Sequence, residues 1–335
     1  MRQKFLLLLL ATMFFTACSD NGGVTPPTPY GANDFFNEFG ASARQTFSIN
    51  PSVGSTLVLD GGTVVTIPPG AFTIGGQPIS GNITFEVIEV LKRSDIIFSG
   101  TNTNYKDGKP LLSDGFFHFS AKQGNTPVDK YLKENMQIEL IRKDYTRGWT
   151  QLWEGFVDDG QFAWDDFPAD AVVGDSANAA GQEFGFVFGG ENCENNNCYP
   201  NFIFNLGKLG WFNCDIYWNN GVNTTVIVNL TGTFGELATY QGYSGDTYVY
   251  FCGKGDNVIA QLYTPNGPGS VKSYDNSMPV GKIGKLIAFS IKDNKFFFAS
   301  KNNVTITANL IETLDLQPST KAAIQAEIEA LDNFN

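Results

Sequence analysis

Read only for hydrophobic and polar positions, most of the chain alternates with a period of two. Phe47 and Ile49, Leu57 and Leu59, Val65 and Ile67, then Ile83, Phe85 and Val87 stand at every second position, each run closed by Asn-Pro, Gly or Asp-Gly-Gly turns. Successive side chains of a strand point to opposite faces, so these runs predict half-buried strands. Pro68-Pro69-Gly70 stops the third run, because proline supplies no ladder donor. Strand patterns continue at Met136–Ile141, Thr150–Trp153 and Gln161–Trp164. They resume through Phe184–Phe188, Asn201–Asn205, Thr224–Thr231, Asp246–Cys252, Val258–Tyr263, Lys285–Ile291, Lys295–Ala299 and Val304–Leu310. Asp293-Asn294 predicts a tight hairpin between two of them. Three segments depart from the alternation. Phe5–Phe15 is an unbroken apolar or neutral run behind Arg2 and Lys4. Asp34–Ala43 predicts one or two helical turns, limited by Gly40. Beyond Pro318, which suits a first helical position, Ile324, Ile328 and Leu331 share one face at i, i+4, i+7.

The expected fold class is all-β: two antiparallel β-sandwich-like domains with a short C-terminal α-helix. Abundant aromatic and turn residues beside only 17% charged residues favour that class over a helical one. Val172–Gly181 falls to small polar residues and marks the expected domain boundary. The expected division is a signal peptide over 1–18, a tether over 19–33, an N-terminal β domain over 34–168, a linker over 169–182, a C-terminal β domain over 183–317 and a helix over 318–335. In the tether, Pro26, Pro27 and Pro29 favour extended polyproline-like structure. A helix as short as the last is marginal alone in water, so it must dock on its own domain or on a partner. Its acidic residues Glu327, Glu329 and Asp332 lie near the negative end of the helix dipole, where they are unfavourable.

The apolar run at the start is too short to cross a bilayer, which takes about 20 apolar residues as a helix. With its basic start and small closing residues it has the layout of a secretory signal peptide. Its last four residues, Phe15-Thr16-Ala17-Cys18, resemble a bacterial lipobox, apart from Phe where Leu is usual. The resemblance implies that Cys18 carries acyl chains and holds the protein at the outer membrane. An ordinary secreted protein cut near Ala17 is the alternative. Two or more acyl chains anchor stably where one does not. Ser19-Asp20 resembles the start of the acidic surface-export signal of Bacteroidota lipoproteins, which leaves the cell surface and the periplasmic face as the two placements. Asp175-Ser176-Ala177 resembles the O-glycosylation signal of the same bacteria and implies a glycan on Ser176.

Gly61-Gly62-Thr63-Val64-Val65-Thr66-Ile67-Pro68-Pro69-Gly70-Ala71-Phe72 resembles a segment of the β domain shared by ankyrins, netrin receptors and zonula-occludens proteins. Relatives of that segment open many Bacteroidota lipoproteins, followed by counterparts of Gly81–Val90, Asp95–Tyr105 and Gly115–Ala121. The resemblance covers roughly Gln45 to Asp166. Leu209-Gly210-Trp211-Phe212-Asn213-Cys214-Asp215 is similar to a Gly-Trp segment found downstream in the same lipoproteins. The role implied is structural and interactive, and no catalytic residue is carried over.

Charge and chemistry narrow the partners. There are 34 acidic and 22 basic residues, a net charge of −12 that deepens to −14 once Arg2 and Lys4 are removed. An acidic surface without a basic patch repels nucleic-acid phosphates, so no nucleic acid is expected as a partner. The partners expected are the membrane, through the N-terminal lipid anchor, and another envelope protein or a glycan. His118 is the single histidine, too little for a His-based metal site or a serine triad, and it reads as a packed or rim residue. No phosphate-binding loop, nucleophile elbow or Cys-x-x-Cys pair is present, so neither cofactor nor metal is expected. The expected function is a non-enzymatic binding or structural accessory. The competing class is a glycan-binding or glycan-hydrolysing enzyme that uses carboxylates. For it, Asp158, Asp159, Asp165 and Asp166 form the densest acidic group, with Trp149, Trp153 and Trp164 as sugar-stacking candidates.

With Cys18 lipidated, four cysteines remain in an oxidising compartment, where disulfides persist. Cys193 and Cys198 bracket a polar loop that a bridge would constrain. Alternation places Cys214 on one face with Phe212, Ile216 and Trp218, and Cys252 ends the Tyr248–Phe251 run. A Cys214–Cys252 bridge through the second domain's core is therefore expected, with two buried thiols as its rival.

Overall fold

The computed structural model describes residues 29–141, 149–158, 160–168, 186–188, 201–218, 221–232 and 246–335. Cys18, Ser176, Cys193 and Cys198 lie outside the described residues, as do the expected linker 169–182 and most of the tether. Strand makes up 56% of the structure against 12% helix, and the protein is all-β, as expected.

Two sheets enclose the first core. The larger runs in the order Arg44–Ile49, Ile83–Val90, Leu111–Gln123, Gly210–Tyr217, Trp149–Asp158, Gln161–Asp166. The smaller runs Asn201–Lys208, Tyr131–Ile141, Val64–Ile67, Ser55–Val58. Between them Val65, Ile67, Phe85, Val87, Phe117, Phe119, Ile138 and Phe204 are buried. These include the alternating positions of the sequence pattern. Ala71 and Phe72, which close the Pro-Pro-Gly-Ala segment, are in the same core, and Gly70 takes a left-handed φ of 76° to turn the chain into it.

The C-terminal sheet runs Ile259–Gln261, Thr247–Gly253, Ile283–Lys292, Lys295–Thr305, Ile311–Pro318, Ile227–Gly232, Ser270–Lys272, Thr264–Pro265. It curls around its own core, which holds Val228, Val249, Phe251, Leu286, Ala288 and Leu316. Asp293 and Asn294 make the expected hairpin with φ of 50° and 62°, the left-handed pair that a two-residue turn requires. One pair, Ile227–Gly232 with Ile311–Pro318, is parallel, so this sheet is not purely antiparallel.

A third core joins the two halves. Phe116, Trp153, Phe162 and Trp164 come from the outer face of the large N-terminal sheet. Tyr250, Cys252, Ile287, Phe289 and Ile291 come from the outer face of the C-terminal sheet. Three short helices fill the space between: α1 (Ala32–Phe39), α2 (Arg93–Phe98) and α3 (Lys321–Glu329). Both central sheets are thus buried on both faces, which explains near-continuous apolar runs such as Leu286–Ile291. Ile324, Ile328 and Leu331, the stripe read from the sequence, are fully buried in this joint.

Several expectations are corrected. The strands Phe186–Phe188, Asn201–Lys208 and Gly210–Tyr217 were expected in the C-terminal domain 183–317, but they pair with N-terminal strands. By strand pairing the halves divide after Tyr217. A long polar stretch between strands of one sandwich has the same composition as a linker between domains. Pro318 ends a strand instead of starting the helix, and Thr320 caps α3 by accepting a bond from the Ala323 N–H at 3.2 Å. The strand expected over Val304–Leu310 stops at Thr305, and Ile311–Pro318 was missed. The Cys214–Cys252 bridge is absent, because Cys214 lies in the N-terminal core and Cys252 in the joint. A register shift between Cys214 and Asp215 breaks the alternation that had grouped Cys214 with Ile216 and Trp218.

Candidate functional site

A cleft of about 610 Å³ lies where the two halves meet. Its walls come from α1, the turn after α2, the hairpin at Gly160 and strands of both central sheets. Helix α1 supplies Asn33, Phe36 and Asn37 at i, i+3, i+4, while Ala32 and Phe35 are buried in the joint. The helix is amphipathic around the boundary between core and cleft. Gly40 ends it close to α2, where a Cβ would lie 2.6 Å from the Phe98 carbonyl oxygen.

Trp211 forms the opposite wall. It stands between Gly155 on one neighbouring strand and His118 on the other. A Cβ at Gly155 would fall 2.6 Å from Trp211 and 2.7 Å from Phe162, so only glycine leaves the indole room. The His118 ring packs at 4.8 Å, Phe162 at 5.6 Å and Phe116 at 5.9 Å, which locks the indole in place. Burial lowers the pKa of His118, so it is a neutral packing partner for Trp211 near neutral pH. From the C-terminal half, Tyr248 meets Phe36 edge-on at 4.8 Å. Burial, then Asp246, pushes the Tyr248 hydroxyl up to about 12.

A buried polar staple holds the lining residues Phe162 and Gln261 from behind. Asn102 Nδ2 donates to the Phe162 carbonyl at 2.9 Å and to Gln261 Oε1 at 3.1 Å. Asn104 exchanges two 2.9 Å bonds with the Gln261 backbone, and the Thr103 N–H donates to the Ile259 carbonyl at 2.9 Å. The bonds to Gln261 and Ile259 cross between the halves and fix the Gln261 amide, with its oxygen engaged and its nitrogen left as a donor. On the other side, Gln161 Nε2 is buried without a hydrogen-bond partner at the cleft wall. Among the described residues, no carboxylate, ammonium or guanidinium lines this cleft.

The residues singled out from sequence are elsewhere. Trp153 and Trp164 are fully buried in the joint, and the side chain of Trp149 lies outside the described residues. Asp165 and Asp166 both bond Lys106, and the Tyr105 hydroxyl donates to Asp166 at 3.0 Å. Those carboxylates hold Lys106 protonated well above its ordinary range. Asp158 is exposed, and Asp159 lies outside the described residues. The cleft residues Asn33, Phe36, Gln161, Trp211 and Gln261 were not read as a site, because they are neutral and far apart in sequence. Only the Gly-Trp segment around Trp211 carried any signal.

No protein-family model matches the chain, and no curated protein matches it significantly.

Proposed function

We propose that this is a lipid-anchored cell-envelope protein of the outer membrane that binds rather than catalyses, with the cleft between its halves as the binding site. The observation that carries this is the cleft lining, which combines fixed aromatic rings and neutral amides without a pair of facing carboxylates among the described residues. A glycosidase needs two carboxyl groups roughly 5–9 Å apart across its substrate. Asp165 and Asp166 are ion-paired with Lys106 instead. The likeness of Gly61–Phe72 to an interaction domain supports the same reading.

Two measurements test it. Cys18→Ala should move the protein from the membrane fraction to the soluble fraction and abolish labelling by a fatty-acid probe; unchanged membrane retention overturns the anchor. Purified protein incubated with envelope extract should retain a ligand and return it chemically intact. Release of a shortened or hydrolysed product overturns the non-enzymatic reading.

A further inference from the structure

We infer that the cleft is built for a neutral oligosaccharide. The inference rests on the reading of this cleft as the binding site and adds the class of ligand. Charge excludes the simplest alternatives. An anionic ligand needs Lys or Arg, and a cationic one is favoured by a carboxylate; the described lining offers neither charge. A wholly apolar ligand would cover the Gln161 and Gln261 amides without pairing them, which costs free energy. The partner that fits is neutral, rich in hydroxyl groups and apolar on its ring faces.

The lining matches that description atom by atom. Trp211 is half-buried and held by three rings behind it, so its free surface is a rigid platform for a sugar ring. Gln161 lines the cleft and its Nε2 is a buried donor without an acceptor, so a turn of this amide into the cleft lets a sugar hydroxyl supply one. Gln261 presents its nitrogen because Asn102 holds its oxygen. On the facing wall, Asn33 and Asn37 each offer a donor and an acceptor one helical turn apart, on either side of Phe36. An extended peptide is the less favoured occupant. Peptides often bind by adding to an open strand edge, but the edge strand Gln161–Asp166 is already occupied. Asn102 donates to the Phe162 carbonyl, and the Trp164 N–H donates to the Asn104 carbonyl at 2.9 Å.

The test is equilibrium binding of the purified mature protein to a panel of neutral oligosaccharides (glucan, mannan, xylan and galactan fragments), with uronic-acid oligosaccharides and neutral peptides alongside. At least one neutral oligosaccharide should bind with an affinity that hardly changes between low and high salt, since no ion pair is involved. Trp211→Ala should weaken that binding by roughly 30-fold, the scale of removing an aromatic anchor. Trp211 is packed and its variant is exposed to misfolding, so Asn37→Ala on the exposed face of α1 is the second probe. It should weaken binding by roughly 2- to 10-fold, the scale of one lost hydrogen bond, with the thermal midpoint unchanged. Neutral-oligosaccharide binding that neither variant weakens places the glycan elsewhere and overturns the inference. Binding of peptides or acidic glycans alone, sensitive to both variants, overturns the ligand class but leaves the cleft as a binding site. Binding of nothing from the panel or from envelope extract overturns both.

Discussion

Cys252 sits at the base of the joint, fully buried behind Tyr250 and beside Lys285 and Arg93. Burial pushes its thiol up to about 12 against the opposing pull of those two cations. At pH 8 that leaves roughly one thiolate in 10⁴, so Cys252 should resist iodoacetamide in the folded protein and react fully in denaturant, as read by mass shift. Cys214, buried in the N-terminal core, should behave alike. Cys252 also sets an alkaline limit together with Tyr248, whose hydroxyl is likewise raised to about 12. Both groups keep protons in the native state that the unfolded chain releases near their ordinary values of 9.0 and 10.0. Above pH 9 the native state therefore binds more protons, and stability falls as pH climbs from 9 towards 12. The urea midpoint should drop between pH 8 and pH 10.5, and a flat profile would contradict the burial of both groups.

At the scale of elements, the helices are joined by polar contacts that their own sequences do not supply. The residue before α2, Lys92, makes no side-chain cap, but Asp332, just beyond α3, accepts from the Ser94 N–H at 3.0 Å and the Ser94 hydroxyl at 2.7 Å. The carboxylate thus caps a helix N-terminus remote in sequence, where negative charge is favourable. Glu327 is compensated by Lys285 at 2.7 Å. Two of the charges that look misplaced on an isolated helix, Glu327 and Asp332, are placed for its neighbours. Arg93, 6% exposed, donates to the Gly253 carbonyl at 2.7 Å, the Phe334 carbonyl at 2.8 Å and the Asp332 carbonyl at 3.2 Å. Arg93→Met should cost about 2–4 kcal/mol, because it leaves buried carbonyls unpaired. Asp332→Ala should cost about 1–2 kcal/mol as a lost cap. Ile328→Ala, which opens a cavity in the joint, should cost about 2–5 kcal/mol. Denaturant unfolding of the three variants measures all of these; losses under 0.5 kcal/mol would mean that α3 is not packed as described.

For the whole molecule, the joint makes one folded body from a two-sheet half and a curled-sheet half. Tyr30, at the start of the described chain, is bonded to the hairpin of the C-terminal half: the Asn294 N–H donates to the Tyr30 carbonyl at 3.0 Å. α1 then packs against both halves. Strand Gly210–Tyr217 lies between two N-terminal strands in the middle of their sheet. Cleavage at a protease site introduced within 169–182 should therefore leave a nicked protein that elutes as one species. Its fragments should separate only in denaturant, because the C-terminal fragment carries strands of the N-terminal sheets. Two independently eluting folded fragments would instead support a domain boundary at that stretch.

The sequence by itself determined most of the strands, though not Ile311–Pro318, and with them the Asp293-Asn294 hairpin and the apolar stripe of the last helix. These depend on the period of side chains along one segment, and burial follows that period wherever the segment packs. It also determined that Trp153 and Trp164 occupy strands, though not which face of the sheet they join. Tertiary structure decided where the halves divide, which core Cys214 and Cys252 each enter and where the candidate site lies. A register shift reversed the faces after Cys214, and a polar insertion between paired strands resembled a linker. The cleft brings together Asn33, Gln161, Trp211 and Gln261 from four distant segments. Neutral amides and a tryptophan carry no signature of a site until folding places them around a common space. Only the docked sheets create that space.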